Sequence, residues 1–399
     1  MLQKKVLNKL LASAFNVPVK VTYWDGKTEE YGQGQSDIHV TFNKKLDLKR
    51  MAKVPTLELA EAYMRRDIEI DGSIQELVKA AYNQSDSFLT DQSGFTGALL
   101  SKFTSSHDKE TSKEDIQSHY DIGNAFYQKW LDDTMTYSCA YWARDDMTLE
   151  EAQIAKVHHI LDKLNSQPGK KLLDIGSGWG TLIITAAQDY DLETYGVTLS
   201  EEQYNYTIQR VKELGLEDKV HVMLKDYRDI EQQFDYITSV GMFEHVGKDN
   251  LAEYFADVAK YLVPNGRALI HGITGQHYGA GVDPFIEKYI FPGGYIPNVV
   301  ENMTHIMDAG LQLDDLEPLR RHYQKTLEHW TANYHKVYDE TVKEYGEQFA
   351  RMWDLYLQAC AASFEAGNID VMQFLITKGP AGHDLPMNRA YMTARDNNK

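Results

Sequence analysis

The segment Lys171-Leu-Leu-Asp174-Ile-Gly176-Ser-Gly178-Trp179-Gly180-Thr181 decides the fold. Its first five residues read as a buried strand, its glycines as a tight turn, and Thr181 onward as the start of a helix. Glycines there let the backbone come close to a ligand, at the carboxyl end of a strand where open α/β sheets bind their ligands. The spacing is G-x-G-x-G. A dinucleotide site would want G-x-G-x-x-G, and Thr181 stands where the third glycine would be, so a nicotinamide or flavin reading falls behind. The phosphate-gripping G-x-x-x-x-G-K is absent as well.

Outward from this turn the pattern alternates between strand and helix. Strands are expected at 171–175, 193–198, 220–224, 234–240 and 267–273, with helices between them, the signature of a doubly wound parallel sheet. Two further β-like runs, 311–318 and 371–377, bring the α/β sheet to seven mostly parallel strands. Ser200-Glu-Glu-Gln203 resembles a capping box, leaving Gln203 either to close a helix start or to reach a ligand.

Upstream the character changes. Met1 to Phe15 sets Leu2, Val6, Leu7, Leu10, Leu11, Ala14 and Phe15 at helical spacing among Lys4, Lys5 and Lys9. Such a basic amphipathic helix either packs on its own domain or lies in a membrane interface. Val19, Val21 and Tyr23 alternate before Asp25-Gly26, and Ile38, Val40 and Phe42 alternate in the expected return strand of a hairpin. Helices over 56–64 and 74–82 complete a small N-terminal α+β domain. A polar stretch from about Gln84 to Ser118 reads as a linker with a short helix near Ala98 to Phe103. The expected boundaries are 1–105 for the first domain, 106–118 for the linker and 119–399 for the second.

The totals narrow the function classes. A chain of 399 residues, 43% apolar, can build cores without staples. Its only thiols, Cys139 and Cys360, form no C-x-x-C pair, as suits a reducing cytosol, and no metal site is expected. A net charge of −18 argues against a broad nucleic-acid face. Residues 1–53 nevertheless carry ten Lys/Arg against five Asp/Glu, a local excess that either meets anionic lipid or is a plain solvated surface. With no apolar run of membrane-spanning length and no secretory signal, the expected location is the cytoplasm.

Seven separated motifs now point one way. Ser118-His-Tyr-Asp121-Ile-Gly-Asn-Ala-Phe126-Tyr, Thr136-Tyr137-Ser138-Cys139-Ala-Tyr-Trp142, the Leu173–Gly180 turn, Gly196-Val-Thr198-Leu199-Ser200, Asp226-Tyr227-Arg228-Asp229, Met242-Phe-Glu244-His-Val-Gly247 and Tyr289-Ile-Phe-Pro-Gly-Gly294 resemble, in order and spacing, the cyclopropane-fatty-acyl-phospholipid synthases and mycolic acid cyclopropane synthases. The likeness covers roughly residues 115–380. Glu61-Ala-Tyr-Met64 with Ile68-Glu-Ile-Asp71-Gly72 looks like the smaller N-terminal lipid-binding part of the bacterial enzymes. The resemblance implies a Rossmann-like methyltransferase dependent on S-adenosylmethionine (SAM), peripheral at the inner membrane surface, that puts a methylene across a cis double bond of an unsaturated phospholipid. Homo-oligomers are left open.

Carried over by motif, the SAM-binding residues would be Tyr137, Ser138, Asp174, Gly176, Gly178, Thr198, Leu199, Gln203, Asp226, Tyr227 and Arg228. The second strand ends without the usual ribose-binding carboxylate, so another group must take the ribose. The resemblance also implies a bicarbonate ion as catalytic base, held by Cys139, Glu244, His271, the backbone of Ile273, and Tyr323. Gly272, inside Leu269-Ile-His271-Gly-Ile273, departs from the pattern. Such chemistry passes through a carbocation, which aromatic faces can stabilise; Tyr141, Trp142, Tyr278, Phe291 and Tyr295 are the candidates. Two alternatives compete. One is a related methyltransferase giving a methyl-branched or hydroxylated lipid; the other is a lipid-binding module on a retired enzyme fold.

Overall fold

A computed structural model describes residues 17–35, 37–82, 122–277, 281–379 and 384–395, together with Lys4, Leu7, Asn8, Leu11 and Ala12. The expected linker, the short helix near Ala98 to Phe103, residues Ser118 to Asp121 and Tyr278 lie outside the described residues. The chain divides into two units. One comprises Met1–Ser105, Gly279–Pro292 and Leu327–Ile369; the other comprises Ser106–Tyr278, Gly293–Thr326 and Asp370–Lys399.

In the first unit β1 (Val19–Thr22), β2 (Thr28–Tyr31), β3 (His39–Phe42) and β4 (Ile68–Asp71) form a sheet in the order β2-β1-β3-β4. The Asp25-Gly26 turn returns the chain into β2, antiparallel to β1, and not into the Ile38–Phe42 run. That run is β3, which lies parallel to β1 with Val40 opposite Val21. The sequence hides β2 because Thr28-Glu-Glu-Tyr31 is an edge strand, joined by backbone hydrogen bonds and carrying no apolar alternation. Leu7 and Leu11 are buried with Val19, Val21 and Phe42, so this part of the amphipathic start covers the core of its own unit.

Helices α1 (Leu48–Lys53), α2 (Pro55–Met64) and α3 (Ile74–Tyr82) complete the contiguous part. Residues 279–292 and 327–369, which chain order assigns to the second domain, join this unit. Helix Glu347–Ala366 lies against α2 and α3. Its Arg351 stacks 3.9 Å over the Tyr63 ring and donates to the carbonyls of Tyr63 (2.7 Å) and Ile68 (3.0 Å). Contacts across some 290 positions leave no local mark in a sequence.

The second unit holds α4 (Leu149–Lys163), β5 (Lys171–Ile175), α5 (Thr181–Asp189), β6 (Glu193–Thr198), α6 (Glu201–Glu213), β7 (Val220–Leu224), β8 (Phe234–Val240), α7 (Leu251–Tyr261), β9 (Leu262–Gly275), α8 (Val299–Asp308), β10 (Leu311–Pro318), the start of α9 (Arg320–Lys336) and β11 (Ile369–Lys378). The seven strands run β10-β11-β9-β8-β5-β6-β7. The successive pairs from β7 through β6, β5 and β8 to β9 are parallel, and β10 is antiparallel to β11. On β5, Leu173 and Ile175 enter one core and Leu172 the other. Each such burial is worth about 1.5–3 kcal/mol.

Strand β9 begins five residues before the expected 267. Leu262 faces Phe234, the register then shifts, and pairing resumes with Arg267 opposite Tyr236. Because the chain proceeds from β5 to β6 and β7 on one side and returns to β8 and β9 on the other, the carboxyl ends of β5 and β8 flank a crevice at a topological switch point. Among the described residues no helix is long and apolar enough to cross a membrane, and no cluster of His, Cys, Asp and Glu suits a metal ion.

Candidate active site

At that crevice lies a cavity enclosing about 1230 Å³, its open mouth included. All eleven residues expected to bind the cofactor line it: Tyr137, Ser138, Asp174, Gly176, Gly178, Thr198, Leu199, Gln203, Asp226, Tyr227 and Arg228. The turn after β5 holds Gly176, Gly178 and Gly180 at φ of +81°, +54° and +84°, a left-handed run that only glycine enters cheaply. Asp174 is buried at the end of β5; Thr238 donates to it at 2.7 Å, and desolvation pushes its carboxyl up to about 6.

Ser200 caps α6 by accepting from the Gln203 amide, but the Gln203 side chain does not reach back to the cap. It accepts from Thr198 Oγ1 at 2.8 Å and stays at the cavity wall. Asp226 is gripped by Arg228 at 2.9 and 2.7 Å, and Tyr227 packs edge-on against Tyr254. The loop over residues 136–138 is pinned from α4, where Gln153 donates to the carbonyls of Ser138 (2.9 Å) and Thr136 (3.3 Å). Lys156, Trp179, Met242, His245 and Asn250 also line the cavity, and the motifs assign a cofactor role to none of them. Lys156 did leave a signal: an ammonium on the helix face that carries buried Ala152 and Ile160.

None of the five residues expected to hold bicarbonate lines this cavity. Glu244, one residue before the cavity-lining His245, forms with His271 and Ile273 of β9 a cluster adjoining it, while Cys139, which follows Ser138, meets Tyr323 at the Leu319 carbonyl. Ile273 N–H donates to Glu244 Oε1 at 2.6 Å, and Gln373 Nε2 lies 3.2 Å from His271 Nδ1. The Cys139 thiol faces the Leu319 carbonyl at 3.9 Å, which also accepts from the Tyr323 amide in the first turn of α9. Gly272 is explained locally: a Cβ there would run into the Phe243 ring.

Two polar atoms in this cluster are sealed from solvent and have no partner among the described residues, Glu244 Oε2 and His271 Nε2. Glu244 is half-buried as a residue, yet its carboxyl group is inside, and desolvation pushes it up to about 7. Burial also drives the His271 pKa well below its ordinary range, so the imidazole is neutral. Since Gln373 can donate to Nδ1, Nε2 then carries the proton. Burial raises the Cys139 thiol far up, leaving no thiolate nucleophile. A buried polar atom without a partner calls for an explanation, and a catalytic role or a water or ion that completes it is one. A small oxyanion would fit: the imidazole N–H could donate to it, and the Glu244 carboxyl, neutral below about 7, could share its proton with it.

The candidate cation holders fare less uniformly. Tyr141 is sandwiched between the rings of His159 (4.0 Å) and His322 (5.0 Å), so both its faces are taken. Trp142 spends its indole N–H on Thr326 Oγ1 and the His322 carbonyl, and Tyr295 donates its hydroxyl to Glu301. Phe291 belongs to the first unit, where it packs on Tyr356.

The family model of mycolic acid cyclopropane synthetase matches residues 107–374. The chain belongs to this family. A second model, of a domain of unknown function, matches residues 6–93. This cyclopropane synthetase family member is 39% identical over 389 residues to the "Probable fatty acid methyltransferase" of Pseudomonas putida, covering 95% of this chain and 97% of that one. It is 38% identical over 353 residues to the cyclopropane-fatty-acyl-phospholipid synthase of Escherichia coli (strain K12), covering 87% and 89%. Among solved structures, mycolic acid cyclopropane synthase CmaA1 complexed with SAH and CTAB superposes with a TM-score of 0.64 at 36% identity, covering 67% of this chain and 98% of that chain. Family and fold together make the protein a SAM-dependent methyltransferase.

Proposed function

We propose that the protein transfers the methyl carbon of SAM to a cis double bond of an unsaturated phospholipid acyl chain and closes it to a cyclopropane ring, with bicarbonate held by the Glu244–His271 cluster. The observation that carries this reading is the pair of orphaned atoms, Glu244 Oε2 and His271 Nε2, on residues that adjoin the cofactor cavity, Glu244 through His245 in the chain and His271 through its pairing with Val240. When bound, SAM supplies an electrophilic methyl and bicarbonate a proton acceptor. The chain's own residues do the rest. The glycine turn would admit the cofactor backbone-close, and the Asp226–Arg228 pair with Tyr227 would shape the side that takes the adenine. His271 would donate to the ion, Glu244 would share its proton, Cys139 and Tyr323 would close the cluster, and the buried setting would keep out water that could trap a carbocation as an alcohol.

The deciding experiment is labelled SAM with vesicles of unsaturated phospholipid, followed by mass spectrometry of the acyl chains. The expected product has one CH2 added per double bond and the unsaturation gone. A second reading, simple methylation, is kept because the relative from Pseudomonas putida is named "Probable fatty acid methyltransferase". A methylated chain that retains its double bond would establish it in place of the first.

The lipid is proposed to be reached at the inner membrane surface through the first unit, where Lys45, Lys49 and Lys53 are exposed around α1. Replacing Lys45 and Lys49 with Gln is expected to weaken binding to anionic vesicles by about tenfold or more at low salt, each cation contributing up to roughly 1 kcal/mol. The difference should shrink as salt is added. Equal co-sedimentation of variant and parent with vesicles at low salt would refute this surface.

A further inference from the structure

Lys156 is the charged cavity residue that the roles above leave unused. Arg228 and Asp226 neutralise each other, and Lys225 donates to the Asp229 carbonyl at 3.3 Å. Lys156 instead is buried, 2% exposed, on the inward face of α4. Its Nζ donates to Ser138 Oγ at 2.8 Å. Among the described residues no carboxylate lies within ion-pair distance, although its charge is felt by Asp174, Asp132 and Cys139. An ammonium has three donors, and a buried cation without a bonded anion is costly. Burial accordingly pulls its pKa down to about 8, a cost that an arriving anion would reverse.

The cavity therefore offers a buried cation and a buried acid, Lys156 and Asp174, at one wall together with a hydroxyl. An amino acid is the ligand fragment that presents both complementary charges on a single carbon. We infer that Lys156, together with Ser138, holds the α-carboxylate of the amino-acid end of SAM. This rests on the cofactor reading of the cavity and adds to it the residue that selects a carboxylate-bearing sulfonium over one without it. Gln153, one turn earlier on α4, keeps Ser138 in place through the backbone, so the helix presents the hydroxyl and the ammonium as one unit.

The test is calorimetry on the full chain with S-adenosylhomocysteine (SAH) and with decarboxylated SAH. Wild type is expected to prefer SAH by about tenfold or more, the usual worth of a hydrogen bond to a charged group. Lys156→Met is expected to lose that preference: SAH weakens by the same factor, while decarboxylated SAH binds as it does to wild type. Unchanged SAH affinity in the variant would overturn the assignment. So would an equal loss for both ligands, which marks a purely structural lysine. Should Lys156→Met not fold, the wild-type comparison decides alone, and equal affinity for the two ligands overturns the inference. Failure of wild type to bind SAH at all would instead remove the cofactor reading on which it rests.

Discussion

Gly178→Val is expected to cut SAH affinity by more than about 100-fold while the protein keeps its native circular dichroism. Gly178 sits at φ +54° on the rim of the cavity, and a Cβ there meets no protein atom within 4 Å because the turn faces open space. A branched side chain would occupy the volume the ligand needs, and holding it in the left-handed region costs about 1–2 kcal/mol. The neighbouring glycines give no such separation of effects. A Cβ on Gly176 would stand 2.8 Å from Met242 Cγ, and one on Gly180 would collide with Thr207, so both positions fail through packing. Calorimetry on folded Gly178→Val that returns the wild-type SAH affinity would remove the cavity from consideration as the cofactor site.

Glu244→Ala is expected to slow turnover by at least about 100-fold at saturating SAM and lipid, the range of a lost general-base function. SAH affinity should change little, because Glu244 does not line the cofactor cavity. The alanine also strands the Ile273 N–H that Glu244 Oε1 now satisfies, so Glu244→Gln, which keeps an acceptor there, is the cleaner partner variant. Wild-type turnover and product from Glu244→Ala would eliminate the proposed role.

The raised pKa of Glu244 adds a signed pH dependence. Below about 7 the carboxyl is neutral, and an entering anion meets no like charge. Above about 7 it is ionised by default, and one proton must be taken up for each bicarbonate bound. The bicarbonate concentration for half-maximal turnover should therefore rise about tenfold per pH unit above that point. Glu244→Gln cannot ionise and should show no such rise. A wild-type half-saturation that stays constant as the pH is raised would show that the ion and Glu244 do not share a proton.

The cofactor half of the site was legible because its determinants are local. Glycines that must adopt positive φ, a helix cap at Ser200 and an acid at a strand end each write themselves into a few consecutive residues, and the strand–helix alternation places them at one edge of the sheet. The partner of β1 across the Asp25-Gly26 turn was not legible, for the opposite reason. The dipeptide does mark a turn, but the polar edge strand β2 carries no hydrophobic period, and the next apolar run in the chain is β3.

The sequence by itself determined the parallel sheet, the place of the glycine turn in it and, through seven ordered motifs, the family. It could name Glu244 and His271 only by resemblance, since a histidine at a strand end is more often an ordinary core residue. Among the described residues, the orphaned atoms of these two, the ammonium of Lys156 buried without a carboxylate in reach, the covered faces of Tyr141 and the recruitment of residues 327–369 into the first unit were decided by tertiary structure alone. Whether a polar atom has a partner, or a ring a free face, depends on groups brought together from distant parts of the chain, and burial sets the charge each one carries.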